Sequence, residues 1–153
     1  DGIRDYKVTG VQTCALPICH DITDEDSPLE AGLDFVVKFD KAGGFIGREA
    51  LLAQREQGLT RRLVQLRLTD PQPLIYHNEP IWRDGALVGH ITSGAYGHVL
   101  GGAVGLGYVS CEPDAAAESV LSGQYEVEVA CERVPAEVSL RPLYDPDNAQ
   151  IRR

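Results

Sequence analysis

The side chains best suited to bind a metal in this chain are three histidines, His77, His90 and His98. Their spacings of 13 and 8 residues lack the paired ligand pattern of a zinc site. Residues 145–148, DPDN, lack the glycine and the distal glutamate of a calcium-binding loop. The sequence therefore predicts no metal centre.

Two short motifs are similar to cofactor-binding or nucleophile signatures but stand in the wrong context. Residues 101–107, GGAVGLG, lead into a predicted strand, whereas a dinucleotide-binding loop follows a strand and opens a helix. Ser93 lies in the sequence TSG, which does not satisfy the G-x-S-x-G pattern of a hydrolase nucleophile. We predict neither site and interpret residues 92–94 as a turn between strands.

A set of helix-capping signals begins at Ser27. Ser27 is suited to cap a helix, Pro28 suits the first helical position, and Glu30 completes the S-x-x-E capping box. Gly32 stands where this short helix would end. The capping box accounts for Glu30 structurally, so we assign its carboxylate no catalytic role.

The segment after this short helix is predicted to contain a strand and a second helix. Residues 33–39 place four apolar side chains on one face of a strand, namely Leu33, Phe35, Val37 and Phe39. Residues 41–44 are predicted to form a turn. Residues 47–57 are predicted to form a helix that ends at Gly58 and faces inward with Ala50, Leu51 and Gln54.

After Gly58 the hydrophobic pattern changes to the period of two that is typical of strands. In residues 63–68, one face carries Val64, Leu66 and Leu68. Residues 83–85, RDG, separate two apolar runs and predict a hairpin turn. Further strands are predicted at residues 104–109, 125–131 and 136–140. Short strands with turn signals between them favour a small β-barrel.

The predicted fold class is an α+β fragment, residues 20–58, followed by a mostly antiparallel small β-barrel, residues 59–143, and a polar tail, residues 144–153. The formal charge of −9 argues against nucleic acid as a partner, because duplex binding needs clustered Lys and Arg. No apolar run reaches the roughly 20 residues of a membrane helix, so we predict no membrane association.

The first 19 residues are interpreted as a non-native segment. Reverse translation of residues 8–18, VTGVQTCALPI, fits a common sequencing-adapter oligonucleotide, and residues 1–5, DGIRD, fit the other end of the same adapter. Cys14 and Cys19 fall within this segment. The two remaining cysteines, Cys111 and Cys131, are too few for a disulfide framework and fit a reducing, cytoplasmic (bacterial) location.

The chain resembles the aminomethyltransferase family, the folate-dependent T-protein of glycine cleavage and its relatives. The matching residues are 27–41, SPLEAGLDFVVKFDK, and 45–51, FIGREAL. A second match covers residues 85–94 and 103–109, which resemble the hairpin of the C-terminal barrel in that family. The resemblance implies tetrahydrofolate as a cofactor and implies that residues 20–58 end a truncated folate-binding domain.

Two shorter motifs resemble the flavin-linked branch of sarcosine and dimethylglycine dehydrogenases. These motifs are residues 80–85, PIWRDG, and residues 142–148, PLYDPDN. The resemblance implies a parent enzyme that oxidises an N-methyl amine with FAD in its N-terminal part and passes a one-carbon unit to tetrahydrofolate. The missing N-terminal domains would be the intramolecular partner. The family's catalytic aspartate would lie upstream of His20, so we expect no catalytic residue here and no activity from this chain alone.

The resemblance also implies four candidate folate contacts. Phe35 matches a position that is usually aromatic beside the folate channel, where a flat ring can stack on the pteridine. Leu29 lies on the same capped turn, and Tyr144 falls near a C-terminal position that reaches the folate. Arg152 is suited to meet the glutamate tail. Plain packing is the other reading of Leu29 and Phe35, and a solvated tail is the other reading of Tyr144 and Arg152.

Other functions stay open on the sequence. One is the aminomethyltransferase of glycine cleavage, whose amine arrives on a lipoyl carrier protein. Another is a non-catalytic folate-binding or channel-shaping module. Relatives that support iron–sulfur repair carry a K-G-C-Y-x-G-Q segment, and residues 45–50, FIGREA, lack its cysteine. The missing cysteine argues against that last type of function.

Overall fold

The computed structural model describes residues 20–113, 115–150 and 152, so the predicted adapter-derived segment lies outside the described residues. One helix, α1 (Arg48–Gln57), precedes six strands, and two 3-10 turns cover Asp34–Val36 and Ala117–Leu121. The strands are β1 (Arg61–Leu68), β2 (Pro80–Arg83), β3 (Ala86–Gly97), β4 (Gly102–Ser110), β5 (Tyr125–Val129) and β6 (Glu132–Ser139). They close into a barrel in the order β1-β4-β3-β2-β5-β6, with every pairing antiparallel. The predicted β-barrel is confirmed.

The barrel is filled by the inward-facing side chains of its strands. In β1, the residues Val64, Leu66 and Leu68 are almost fully buried, which confirms the alternation read from the sequence. Burial of each such side chain stabilises the fold by about 1.5–3 kcal/mol. Ile75 and Val120, which lie between strands, also belong to the core, together with the strand residues Ile81, Ile91, Val109, Tyr125, Val127 and Val134.

Two hairpins of the barrel are closed by turns whose central residues both have positive φ. Asp84 (φ 51°) and Gly85 (φ 83°) join β2 to β3, which confirms the predicted hairpin. Ala130 (φ 51°) and Cys131 (φ 68°) join β5 to β6. The prediction that a strand runs through Cys131 was wrong, because the sequence AC carries no glycine, asparagine or aspartate to signal a turn of this type.

The prediction of a turn at residues 92–94 was also wrong. These residues lie inside the 12-residue strand β3, which pairs with β4 along its length apart from a bulge between Ile91 and Ser93. Only glycine fits at position 94, because a Cβ there would lie 2.5 Å from the carbonyl oxygen of Ile75. The glycine therefore reflects a close approach of two backbone segments rather than a turn.

The strand predicted at residues 33–39 does not form. Asp34–Val36 is a 3-10 turn, and no described strand pairs with this segment. A strand needs a neighbour for its backbone N–H and C=O groups, and apolar alternation alone does not provide one. The predicted turn at residues 41–44 is confirmed by a bond from the Gly44 N–H to the Lys41 carbonyl (2.9 Å).

The helix predicted at residues 47–57 is confirmed. Gly47 (φ 88°) precedes α1, and Gly58 (φ 81°) ends it. Leu51 and Gln54 are half-buried as expected, whereas Ala50 is exposed, and no residue of α1 is fully buried. None of the described helices is long and apolar enough to cross a membrane.

Candidate functional site

The capped segment, residues 27–32, forms one tight helical turn that we call the anchor turn. The Ser27 N–H donates to Glu30 Oε2 (2.9 Å), and the Glu30 N–H donates to Ser27 Oγ (3.2 Å). Gly32 (φ 70°) ends the turn, and the Leu33 N–H donates to the Pro28 carbonyl (2.7 Å). The predicted capping box and glycine stop are confirmed, in a single turn rather than in a longer helix.

Arg61, the first residue of β1, attaches the anchor turn to the barrel. Its Nε donates to Glu30 Oε1 (3.0 Å), so each carboxylate oxygen of Glu30 has its own donor. Its NH2 group lies 2.8 Å from Asp26 Oδ1 and donates to the Glu25 carbonyl (3.1 Å). One guanidinium thus holds three acceptors of the N-terminal segment, which suits its planar fork of donors.

The ionisation of this pair is reinforced from both sides. Burial opposes the charge of Glu30, but hydrogen bonds from Ser27 and Arg61 together outweigh burial and hold the pKa of Glu30 below its usual value. The hydrogen bond to Glu30 in turn raises the pKa of Arg61 against the opposing effect of burial. The ion pair therefore persists at neutral pH.

The outer faces of β3 and β4 complete the attachment. Thr92 Oγ1 donates to Asp21 Oδ1 (2.6 Å), and the guanidinium of Arg61 lies 5.0 Å from the ring centroid of Tyr108. The hydroxyl of Tyr108 is buried and has no hydrogen-bond partner among the described residues. Burial and the nearby carboxylate of Asp26 raise the pKa of Tyr108 to about 12.

The raised pKa of Tyr108 predicts a loss of stability in alkali. A free tyrosine has a pKa of about 10. The stability that the neutral Tyr108 side chain contributes is therefore fully present below pH 10 and is lost as the pH rises towards 12. In urea unfolding, the wild-type chain should lose more free energy of unfolding over this interval than Tyr108→Phe. The exposed Tyr76→Phe should behave like the wild type, and an equal loss in all three proteins would contradict the assignment.

A cleft of about 310 Å³ opens between the anchor turn and the C-terminal segment. The side chain of Gln65 on β1 accepts a hydrogen bond from the Leu143 N–H and so fixes the chain just before Tyr144. Arg141 forms an ion pair with Asp147 (2.6 Å), which links the end of the barrel domain to the C-terminal tail. The lining comprises Glu30, Ala31, Gly32, Arg62, Leu63, Val64, Gln65, Leu106, Ser139, Leu140, Arg141 and Pro142.

The four candidate folate contacts differ in their surroundings. Phe35 lies in the 3-10 turn just after the anchor turn and is 73% exposed. Leu29 is only 7% exposed and lines a second cleft of about 400 Å³ that Arg55 and Arg62 also border. Tyr144 is 53% exposed, and Arg152 is exposed in the tail, where its N–H donates to the Asn148 carbonyl (3.3 Å). Their contact with folate stays a prediction.

The structure brings the anchor turn close to the segment before Tyr144, but none of the four candidate contacts is among the residues that line the cleft between them. Sequence reasoning missed Arg61 and Gln65, which organise this region. The sequence offered only a weak signal for Arg61, a positive charge at the start of a strand. Its partners lie 31 or more residues away along the chain. Within the described ranges, no group of three or more His, Cys, Asp or Glu side chains is arranged to hold a metal ion.

Comparisons with known proteins agree with this architecture. Residues 61–145 match the family described as glycine cleavage T-protein C-terminal barrel domain. The crystal structure of the glycine cleavage system aminomethyltransferase T from Bartonella henselae superposes with a TM-score of 0.65 at 29% identity, over 79% of this chain and 33% of that chain. The chain belongs to the glycine cleavage T-protein family, as its sequence resemblance implied.

Three curated relatives represent two kinds of enzyme. The 4-methylaminobutanoate oxidase (formaldehyde-forming) of Paenarthrobacter nicotinovorans is 44% identical over 87% of this chain and 15% of its own length. Mitochondrial sarcosine dehydrogenase of Mus musculus is 37% identical over 86% of the chain and 14% of its own length. An aminomethyltransferase of Thermosynechococcus vestitus is 40% identical over 81% of the chain and 32% of its own length. The chain thus spans about a seventh of the oxidase and the dehydrogenase, and about a third of the transferase.

Proposed function

We propose that this chain is the C-terminal part of a folate-dependent N-methyl amine dehydrogenase of the sarcosine or dimethylglycine type. The observation that carries the proposal is the 44% identity to the 4-methylaminobutanoate oxidase, which extends over 87% of the chain. Sarcosine dehydrogenase, a second enzyme named for an N-methyl amine, aligns over nearly the same share. The motifs at residues 80–85 and 142–148 support the same branch.

Tetrahydrofolate would supply the acceptor for the one-carbon unit, and FAD in the N-terminal part of the parent would accept the electrons taken from the N-methyl group. Phe35 and Tyr144 are both exposed, which supports the proposal because either ring would be free to stack on a flat ligand. Leu29 would add an apolar wall, and Arg152 would attract the carboxylates of the glutamate tail. The catalytic aspartate is expected upstream of His20.

The barrel would act by fixing the positions of the segments that carry Phe35 and Tyr144. Gln65 fixes the segment before Tyr144, and Arg61 fixes the turn before Phe35. Both side chains project from the outer face of β1, which pairs with β4 from Arg61 onwards and with β6 from Gln65 onwards. We infer that the small-molecule partners, folate and an N-methyl amine, meet this chain only within the complete enzyme.

The aminomethyltransferase of glycine cleavage is the second candidate. It is favoured by the family match over residues 61–145 and by the structural similarity to the Bartonella henselae enzyme. In that case the same barrel would support transfer from a lipoyl-bound amine, without a flavin domain. A purely channel-shaping or folate-binding role of the barrel is compatible with either parent.

A single set of assays on the complete parent enzyme separates these functions. We expect sarcosine, dimethylglycine or 4-methylaminobutanoate to reduce an electron acceptor, with formaldehyde released in the absence of tetrahydrofolate. Adding tetrahydrofolate should lower free formaldehyde as the carbon is captured. The 153-residue chain alone should show neither activity. Release of ammonia from a lipoyl-bound amine, without oxidation of any N-methyl amine, would establish the aminomethyltransferase instead. Folate binding without carbon capture would establish the non-catalytic role.

A further inference from the structure

We propose that Arg61 is a positioning residue, which fixes the anchor turn on the barrel and thereby sets the place of Leu29 and Phe35. The inference rests on the proposed function, because it gives these two side chains a role towards folate. Arg61 itself would not touch the folate. Its effect would pass through Glu30, whose carboxylate belongs both to the capping box and to the contact with the barrel.

The edge of β1 explains why the attachment lies at this place. On one side β1 pairs with β4 from Arg61 onwards, but on the other side β6 pairs only from Gln65, which faces Ser139. The Leu63 N–H is left without a β6 partner and donates to the Glu30 carbonyl instead (2.9 Å). The anchor turn thus continues the barrel edge where β6 ends, and Arg61 lies at the same end of the strand.

Burial makes this ion pair different from an ordinary surface pair. The side chains of Asp26 and Glu30 are only 6% and 9% exposed, whereas Arg61 is 38% exposed. Thr23 and Ser27 donate hydrogen bonds to Asp26 and Glu30 respectively, but both carboxylates share the guanidinium of Arg61 as their counter-charge. If the guanidinium is removed, both carboxylates lose their counter-charge at a site with little water, and moving the turn out into solvent relieves that cost.

The expected failure is detachment of the anchor turn rather than unfolding of the barrel. The Ser27–Glu30 capping bonds lie within the turn and survive the loss of Arg61. The barrel core contains none of these residues. A detached turn would leave Leu29 and Phe35 without a fixed position, so folate would have to order them on binding at a cost in affinity.

Hydrogen exchange at the Leu63 amide measures the attachment directly in the 153-residue chain. Arg61→Gln should speed this exchange at least tenfold, while the amides of β2 and β5 keep their protection. Arg61→Lys should lie in between, because it retains the charge but not the fork of donors. The matched control is Arg67→Gln. Arg67 lies on the same strand, but its guanidinium pairs with Glu137 (3.3 Å) and not with the anchor turn. Unchanged exchange in Arg61→Gln would overturn the proposal.

The consequence for folate is tested in the complete parent enzyme. Arg61→Gln should raise the KM for tetrahydrofolate about tenfold with little change in kcat for amine oxidation, and Arg67→Gln should change neither. Phe35→Ala serves as the reference for a lost folate contact. Fast Leu63 exchange with an unchanged KM in Arg61→Gln would overturn the positioning role while leaving the proposed function intact. A parent whose wild type shows no folate dependence would overturn both.

Discussion

Gly107→Ala is expected to lower the free energy of unfolding by about 3 kcal/mol. Gly107 lies on the inward face of β4, opposite Ile91 of β3 and Val64 of β1. An added Cβ would lie 2.6 Å from the His90 carbonyl oxygen and 2.7 Å from Cδ1 of Ile81, distances that real Cβ atoms do not adopt. One contact is backbone in a paired strand and the other is a fully buried side chain, so neither neighbour can yield cheaply.

Gly105→Ala is the matched control, on the same strand and the same inward face. Its added Cβ would lie 3.1 Å from the Ser93 carbonyl oxygen and 3.3 Å from Cδ1 of Ile91. These contacts are tight but require shifts of only a few tenths of an ångström, so the loss should be about 1 kcal/mol. Urea unfolding followed through the fluorescence of Trp82, the only tryptophan, measures both. Equal losses would show that the gap beside Gly107 can relax.

Leu66→Ala should destabilise the chain by about 3 kcal/mol. Leu66 has no exposed surface and lies in the middle of β1, paired with Gly105 of β4 and Val138 of β6. Removing three carbons leaves a cavity that strands hydrogen-bonded on both sides cannot collapse to fill. The lost apolar burial and the unfilled cavity therefore add.

The control for this substitution is Leu87→Ala, a strand residue of β3 that is 51% exposed. It removes the same atoms without opening a cavity, so its effect should stay within about 0.5–1 kcal/mol. The midpoint of urea unfolding should fall for Leu66→Ala. The slope of the free energy of unfolding against urea concentration should be similar in both variants. A shift of the same size for Leu87→Ala would show that the barrel core is not as closely packed as the burial of Leu66 implies.

The sequence predicted well those features that depend on neighbouring residues. The capping box of Ser27 and Glu30 uses bonds between residues three positions apart, and the Asp84-Gly85 turn requires only positive φ at two adjacent residues. The inward face of β1 follows from strict alternation, because successive side chains of a strand point to opposite faces. In each case the physical cause lies within the segment itself.

The sequence predicted poorly those features that depend on a distant partner. Residues 33–39 alternate like a strand but have no described strand beside them, and residues 92–94 contain glycine but are held in β3 by pairing with β4. The turn at Ala130 and Cys131 is imposed by the register of β5 and β6, although neither residue favours positive φ. The intrinsic conformational preference of a residue contributes less free energy than pairing between strands. Tertiary contacts therefore determined the conformation of these segments.

The sequence by itself determined the family, the barrel and the local chemistry of the anchor turn, because these are written in motifs and in short-range periodicity. Only the tertiary structure decided what the anchor turn is attached to. Glu30 meets Arg61 across 31 residues, Asp21 meets Thr92 across 71, and Gln65 meets Leu143 across 78. Contacts at such separations exist only after the barrel has closed and brought its outer face to both ends of the described chain.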